Sequence, residues 1–128
     1  MRIEFAVNGT LMRGLELNHN LLEREGVFVA EALTAPVYRL WSIADRHPAM
    51  MRFNQGGREI ALEIWSIPLS RLGEILQSEP PGLCVGKILL SDQREVLGVL
   101  GEPFLCDGQP EITGYGGWRS YTASRSQR

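Results

Sequence analysis

What most constrains this chain is its rhythm. Seven short runs with the composition of β-strands follow one another, broken by glycine, proline and asparagine, and only one stretch carries a helical stripe. The runs are residues 3–7, 27–33, 36–43, 49–53, 58–67, 85–90 and 96–100. The clearest is 58–67, where Ile60, Leu62 and Ile64 share one face and Ala61, Glu63, Trp65 and Ile67 the other. The helical stripe is Leu69, Leu72, Ile75 and Leu76 within 68–77, with Pro68 suited to a first turn. Residues 15–23 fit a loop with a single helical turn. His47-Pro48 marks a turn, because the residue before proline is pushed to extended geometry. Asn54 to Gly57 reads as a hairpin loop, and Ser91-Asp92-Gln93 as the bend of another hairpin. Strands and helices do not alternate as βαβ units. The expected fold is therefore α+β: a small mixed or antiparallel sheet, curled or closed into a barrel, with one main helix.

The 128 residues suit one domain, expected over 1–122, with 123–128 as a disordered tail. Thirteen basic against fifteen acidic side chains leave a net charge of −2, which disfavours nucleic acid or an anionic membrane as partner. No apolar run approaches the roughly 20 residues of a membrane span, and the first residues lack the pattern of a secretory signal. With Cys84 and Cys106 far apart and no signal, a reducing, cytoplasmic setting is expected. Those cysteines and the scattered His19 and His47 give no grounds for a zinc site, and no cofactor is expected.

Four places could carry chemistry. Asn8-Gly9-Thr10-Leu11 follows a strand, and its glycine lets backbone N–H groups converge on an anion; a plain turn would have the same residues. It is not a P-loop, because no Gly-Lys-Ser/Thr follows. Leu17-Asn18-His19-Asn20 sets an imidazole, able to move a proton near neutral pH, close in sequence to that turn; a hydrogen-bonded loop histidine is the plainer reading. Glu79 precedes two prolines at a helix end, either a general base or an exposed acid. Arg119, in a glycine-rich segment, offers a planar fork to a carboxylate, while Trp118 and Tyr121 beside it suit the core. Glu63 sits inside a strong strand and needs either solvent or a partner.

Beyond composition and periodicity, the order of residues 5–21, 34–43, 56–76, 80–92, 96–105 and 111–121 resembles the C-terminal domain of allophanate hydrolase over nearly the whole chain. Its most specific pieces are Leu17-Asn18-His19 and Ile112-Thr113-Gly114-Tyr115-Gly116-Gly117-Trp118-Arg119-Ser120-Tyr121. That domain belongs to the wider γ-glutamylcyclotransferase-like superfamily, whose strand-then-turn opening is echoed by Val7-Asn8-Gly9-Thr10-Leu11. The resemblance implies a small mixed barrel with a cavity at that turn. Asn8 stands where cyclotransferases have tyrosine, and Glu79 is the acid nearest the place of their catalytic glutamate.

In allophanate hydrolase the amidase domain releases ammonia, and this domain is proposed to decarboxylate the N-carboxycarbamate that remains. The amidase Ser-Ser-Lys set is missing from this sequence. The resemblance thus implies an allophanate hydrolase-related domain that binds a small anionic substrate. Asn8, Gly9, Thr10, Leu11, Asn18 and Arg119 would hold it, and His19 and Glu79 would be the catalytic pair. A second copy of the chain or an amidase is the expected protein partner. Two other readings are a non-catalytic assembly partner of an amidase and a cyclotransferase acting on γ-glutamyl amines.

Overall fold

A computed structural model describes residues 1–126. Strands β1 (Arg2–Val7), β2 (Val27–Leu33), β5 (Ala61–Pro68), β6 (Leu83–Leu89) and β7 (Glu95–Gly101) form one sheet in the order β2-β5-β1-β7-β6. Every pairing is antiparallel except β1 with β7. Strands β3 (Tyr38–Ile43) and β4 (His47–Arg52) make a separate hairpin. The expected α+β architecture and its seven strands are thus present. The helices are α1 (His19–Leu22), α2 (Leu72–Gln77), α3 (Pro103–Cys106) and α4 (Trp118–Ser126).

The hairpin closes on the curled sheet and shares its core. Tyr38, Leu40 and Met50 are buried with Phe5, Ile64, Ile67 and Ile88. The approach of β4 to β7 depends on a missing side chain: a Cβ on Gly101 would lie 2.7 Å from that of Ala49. Tyr38 also accepts the Leu89 N–H at 2.9 Å, which ties the hairpin to β6. In β5 the alternation expected from the sequence holds, but Leu62 and Ile64 on one face and Glu63, Trp65 and Ile67 on the other are all buried. The reason is topological, since β5 is interior to the sheet, between β2 and β1.

Three expectations need correction. Pro68 ends β5 in extended geometry (ψ 132°), and a 3-10 turn at Leu69–Arg71 separates it from α2, so it does not start the helix. His47-Pro48 opens β4; the turn comes earlier, at Ala44 and Asp45, both with positive φ (52° and 57°). Two such residues in succession match the hairpin turn whose twist suits the flanking strands. Finally, the chain does not fray from 123: α4 runs to Ser126, anchored by buried Trp118 and Tyr121. The rest of the expected tail, 127–128, lies outside the described residues.

Candidate active site

The turn after β1 is fixed from within. The Asn8 amide Nδ2 donates to the Val99 carbonyl at 3.0 Å, pinning the turn to β7. The Gly9 carbonyl accepts from the Met12 N–H at 3.0 Å, and the Thr10 carbonyl from the Leu17 N–H at 3.0 Å. The Asn18 Nδ2 reaches the Leu11 carbonyl at 2.8 Å. Three consecutive carbonyls are therefore held inside the loop. The N–H groups of Gly9, Thr10 and Leu11 donate to no carbonyl or side chain among the described residues. Neighbouring amides left free in this way can hold an anion where their N–H bonds converge.

That turn lines a recess together with His47, Pro48, Glu79, Leu83 and Val99. The recess has a volume of about 10 Å³, the size of a single water. Glycine is required at its base, because a Cβ on Gly9 would lie 2.5 Å from Pro48 Cδ. Beyond it opens a bowl of about 630 Å³. The two share Thr10 and His47 as walls, and the bowl adds the exposed Glu16, Ala44 and Arg46 to Leu17, Ile43, Pro80, Pro81 and Leu105.

Glu79 is half-buried at the end of α2, where its N–H still reaches the Leu76 carbonyl at 3.1 Å and the two prolines stop the helix. Its carboxyl makes no hydrogen bond or ion pair among the described residues. Loss of water therefore pushes it up to about 7. His47 is 8% exposed, and its Nδ1 lies 3.0 Å from the Pro48 carbonyl oxygen. A carbonyl only accepts, so Nδ1 carries the hydrogen, and Nε2 is the nitrogen left for the cavity.

The sequence candidates fall into three groups. Asn8, Gly9, Thr10, Leu11 and Glu79 meet at the recess. Asn18 serves the loop itself, with Nδ2 on Leu11 and Oδ1 accepting from the Gly14 N–H at 3.4 Å. His19 and Arg119 are elsewhere. His19 is exposed at the start of α1 and lines neither recess nor bowl, because the helical turn buries its neighbours Asn20 and Leu21 instead. The imidazole at this site belongs to His47, which the sequence offered only as a turn marker.

Arg119 lines a separate groove of about 290 Å³ between β2, β5 and α4. It donates to the Arg13 carbonyl at 2.7 Å and to Glu63 Oε2 at 3.1 Å. Glu63, only 2% exposed, also accepts from the Arg13 N–H (2.9 Å), Trp65 Nε1 (3.1 Å) and Arg13 Nε (3.2 Å). Burial pushes its carboxyl up, but these hydrogen bonds outweigh burial and hold it below the ordinary value. This is the partner that a carboxylate inside a strand required. Among the described residues, no three His, Cys, Asp or Glu side chains are grouped to hold a metal ion, and no helix is long and apolar enough to cross a membrane.

Comparison with known proteins bears on the family and the fold. The sequence model of the allophanate hydrolase C-terminal domain matches residues 3–123. The crystal structure of a uropathogenic E. coli-specific protein is 55% identical and superposes with a TM-score of 0.95, covering 96% of this chain and 97% of that one. Kluyveromyces lactis allophanate hydrolase is 27% identical with a TM-score of 0.91, covering 97% of this chain and 21% of its own. Urea amidolyase of Saccharomyces cerevisiae is 27% identical over 126 residues, 93% of this chain and 7% of that protein's length. The chain thus spans a small part of these two enzymes. The fold is the α+β one that the sequence resemblance implied, shared with the allophanate hydrolase structure. With the match running over nearly all of its length, the chain belongs to the allophanate hydrolase C-terminal domain family.

Proposed function

We propose that this domain binds an N-carboxylated anion at the Gly9–Leu11 amides and releases carbon dioxide from it, with Glu79 supplying the proton. The observation that carries the reading is the pairing of three unbonded N–H groups with a carboxyl that remains largely protonated up to about pH 7, in one recess. The amides hold a carboxylate. As the C–N bond breaks, its electron pair stays on nitrogen, carbon dioxide leaves, and nitrogen takes the proton from Glu79. For N-carboxycarbamate the products are carbamate, carbon dioxide and the Glu79 carboxylate, which regains its proton from water. Kinship with allophanate hydrolase points to that compound, in urea and allophanate nitrogen metabolism, with the amidase step performed outside this sequence.

The test couples a separate amidase and allophanate to this protein and follows carbon dioxide. Glu79→Gln should slow its release by about 10²–10⁴-fold, the usual worth of a positioned proton donor, while malonate binding persists. His19→Ala should have no effect. Wild-type turnover in Glu79→Gln would remove the mechanism.

Because Glu79 lies with Gly9 in one recess, it could also act as the base of a cyclotransferase. Cyclisation of γ-glutamyl amines by the purified protein decides for that reading, and its failure against it. An amidase or a second copy would find its place along β2, an edge strand with Val27, Val29 and Leu33 exposed. Val29→Lys should then weaken association in sedimentation; an unchanged profile would dismiss that surface.

A further inference from the structure

We propose that a second copy of this chain seats its Phe104 ring in the bowl and receives the first copy's ring in its own, so that each recess is roofed by the partner molecule. The contact follows from the surface alone; its effect on the reaction rests on the reading of the recess as the place of decarboxylation. Two observations carry it.

The first is a knob beside a hole. Phe104 is 66% exposed, the most exposed aromatic side chain among the described residues. It stands on α3, and Leu105, the next residue of that helix, is part of the bowl's wall. Leu17, Ile43, Pro80 and Pro81 complete an apolar lining suited to a ring. A knob and a hole side by side on one molecule meet those of a second molecule across a two-fold axis, both contacts being made at once. The bowl's volume of about 630 Å³ also exceeds what a compact anion at the recess fills. The partner's ring takes up the surplus. It covers Thr10 and His47, where bowl and recess meet, and keeps water from the reacting end.

The second is charge. Phe104 lies between Glu102 and Asp107, both exposed, and neither carboxylate has a hydrogen bond or ion pair among the described residues. The bowl carries Arg46 and Glu16, which are also exposed and unpaired among those residues. An entering ring therefore brings two acids to a wall with one base and one acid. Arg46 is the complement that the knob lacks in its own chain, and Glu16 is the group that opposes the contact. A second copy supplies the aromatic ring and its flanking acids by symmetry. The edge of β2 is a different part of the surface, so both contacts can exist in one assembly.

Sedimentation of the whole chain over a concentration series tests the contact. The wild type should form dimers, and Phe104→Ser should weaken them at least about tenfold, as loss of a buried ring implies. The replaced side chain is exposed, so the monomer should keep its stability. Arg46→Glu should weaken association severalfold, and Glu16→Gln should tighten it. Amide exchange in the wild type should slow at residues 15–17 and 43–47 as the dimer forms, with no such change in Phe104→Ser. A chain that stays monomeric at every concentration, a dimer indifferent to Phe104→Ser, or protection confined to residues 27–33 would overturn the inference. None of these readouts involves turnover, so the Glu79 mechanism stands or falls separately, on Glu79→Gln.

Discussion

Glu63 and Glu79 are both withdrawn from water, and their surroundings send them in opposite directions. Glu79 has burial alone, so its carboxyl rises to about 7. The folded chain then holds a proton that the unfolded chain, with an ordinary glutamate near 4.5, releases. That contribution to stability is complete below about 4.5 and is lost as pH rises through about 7. Glu79→Gln should therefore be more stable than the wild type at pH 8, with the difference vanishing at pH 4 in urea melts. Ligand binding follows the same titration. Above pH 7 an ionised Glu79 repels a carboxylate held by the neighbouring amides, so affinity should fall in the wild type and stay flat in the variant. Glu63 is the reverse case, held below its ordinary value by donors from Arg13, Trp65 and Arg119. Its contribution is present above the ordinary value and is lost as pH falls through the folded one. Glu63→Ala should cost about 3–5 kcal/mol, since it strands charged and polar partners. Arg119→Ala, at a half-exposed end of the cluster, should cost about 1 kcal/mol or less and leave carboxylate binding intact. Loss of binding in that variant would restore Arg119 as a clamp.

The turn after β1 and the hairpin of β3 and β4 meet where Gly9 touches Pro48, so the recess is a property of two elements in contact. Gly9→Ala pushes a methyl into the proline ring and should destabilise by about 1–3 kcal/mol. Pro48→Ala opens space on the other side, so the double variant should recover part of the loss, with a coupling above about 0.5 kcal/mol. Strict additivity of the two would show that the turn simply moves away. The strands of this fold were legible because alternating Ile, Leu, Trp and Val report a pleated, half-covered surface directly. The turn and Glu79 were legible too, since glycine after a strand and an acid before two prolines are local signals. The hairpin that completes the site was not. Ala44 seldom takes positive φ, so nothing at that position announces the bend, and Pro48 drew the turn to itself. Likewise α4 has serine and threonine through most of its surface, residues that also favour turns, and only Trp118 and Tyr121 mark its buried side.

Three distant parts of the chain converge on one cavity: the turn at Gly9, the β3–β4 hairpin, and the end of α2 with Glu79. Their relative placement depends on a fourth part that does not line it. Asp45, at the tip of the hairpin, accepts hydrogen bonds from the Ser42 hydroxyl and the Tyr121 hydroxyl, each at 2.6 Å, and pairs with Arg125 at 2.9 Å. The C-terminal helix thus holds the hairpin that brings His47 and Pro48 to the recess. Sequence alone locates the turn and the acid but gives no hint of this link, because Asp45 and Tyr121 are 76 residues apart and meet only in the finished fold. Tyr121→Phe removes the hydroxyl and keeps the ring packed on Trp118, whose centroid lies 5.6 Å away. The loss in global stability should be about 1–2 kcal/mol, since the hydroxyl donates to Asp45 and also accepts a longer bond from Arg125 at 3.4 Å. If α4 steadies the hairpin, amide hydrogen exchange across residues 44–48 should quicken more than in β1 or β5, and carboxylate affinity should fall with it. Uniform quickening over the whole sheet, with affinity unchanged, would reduce α4 to a general contributor to stability and leave the hairpin's position to its own turn.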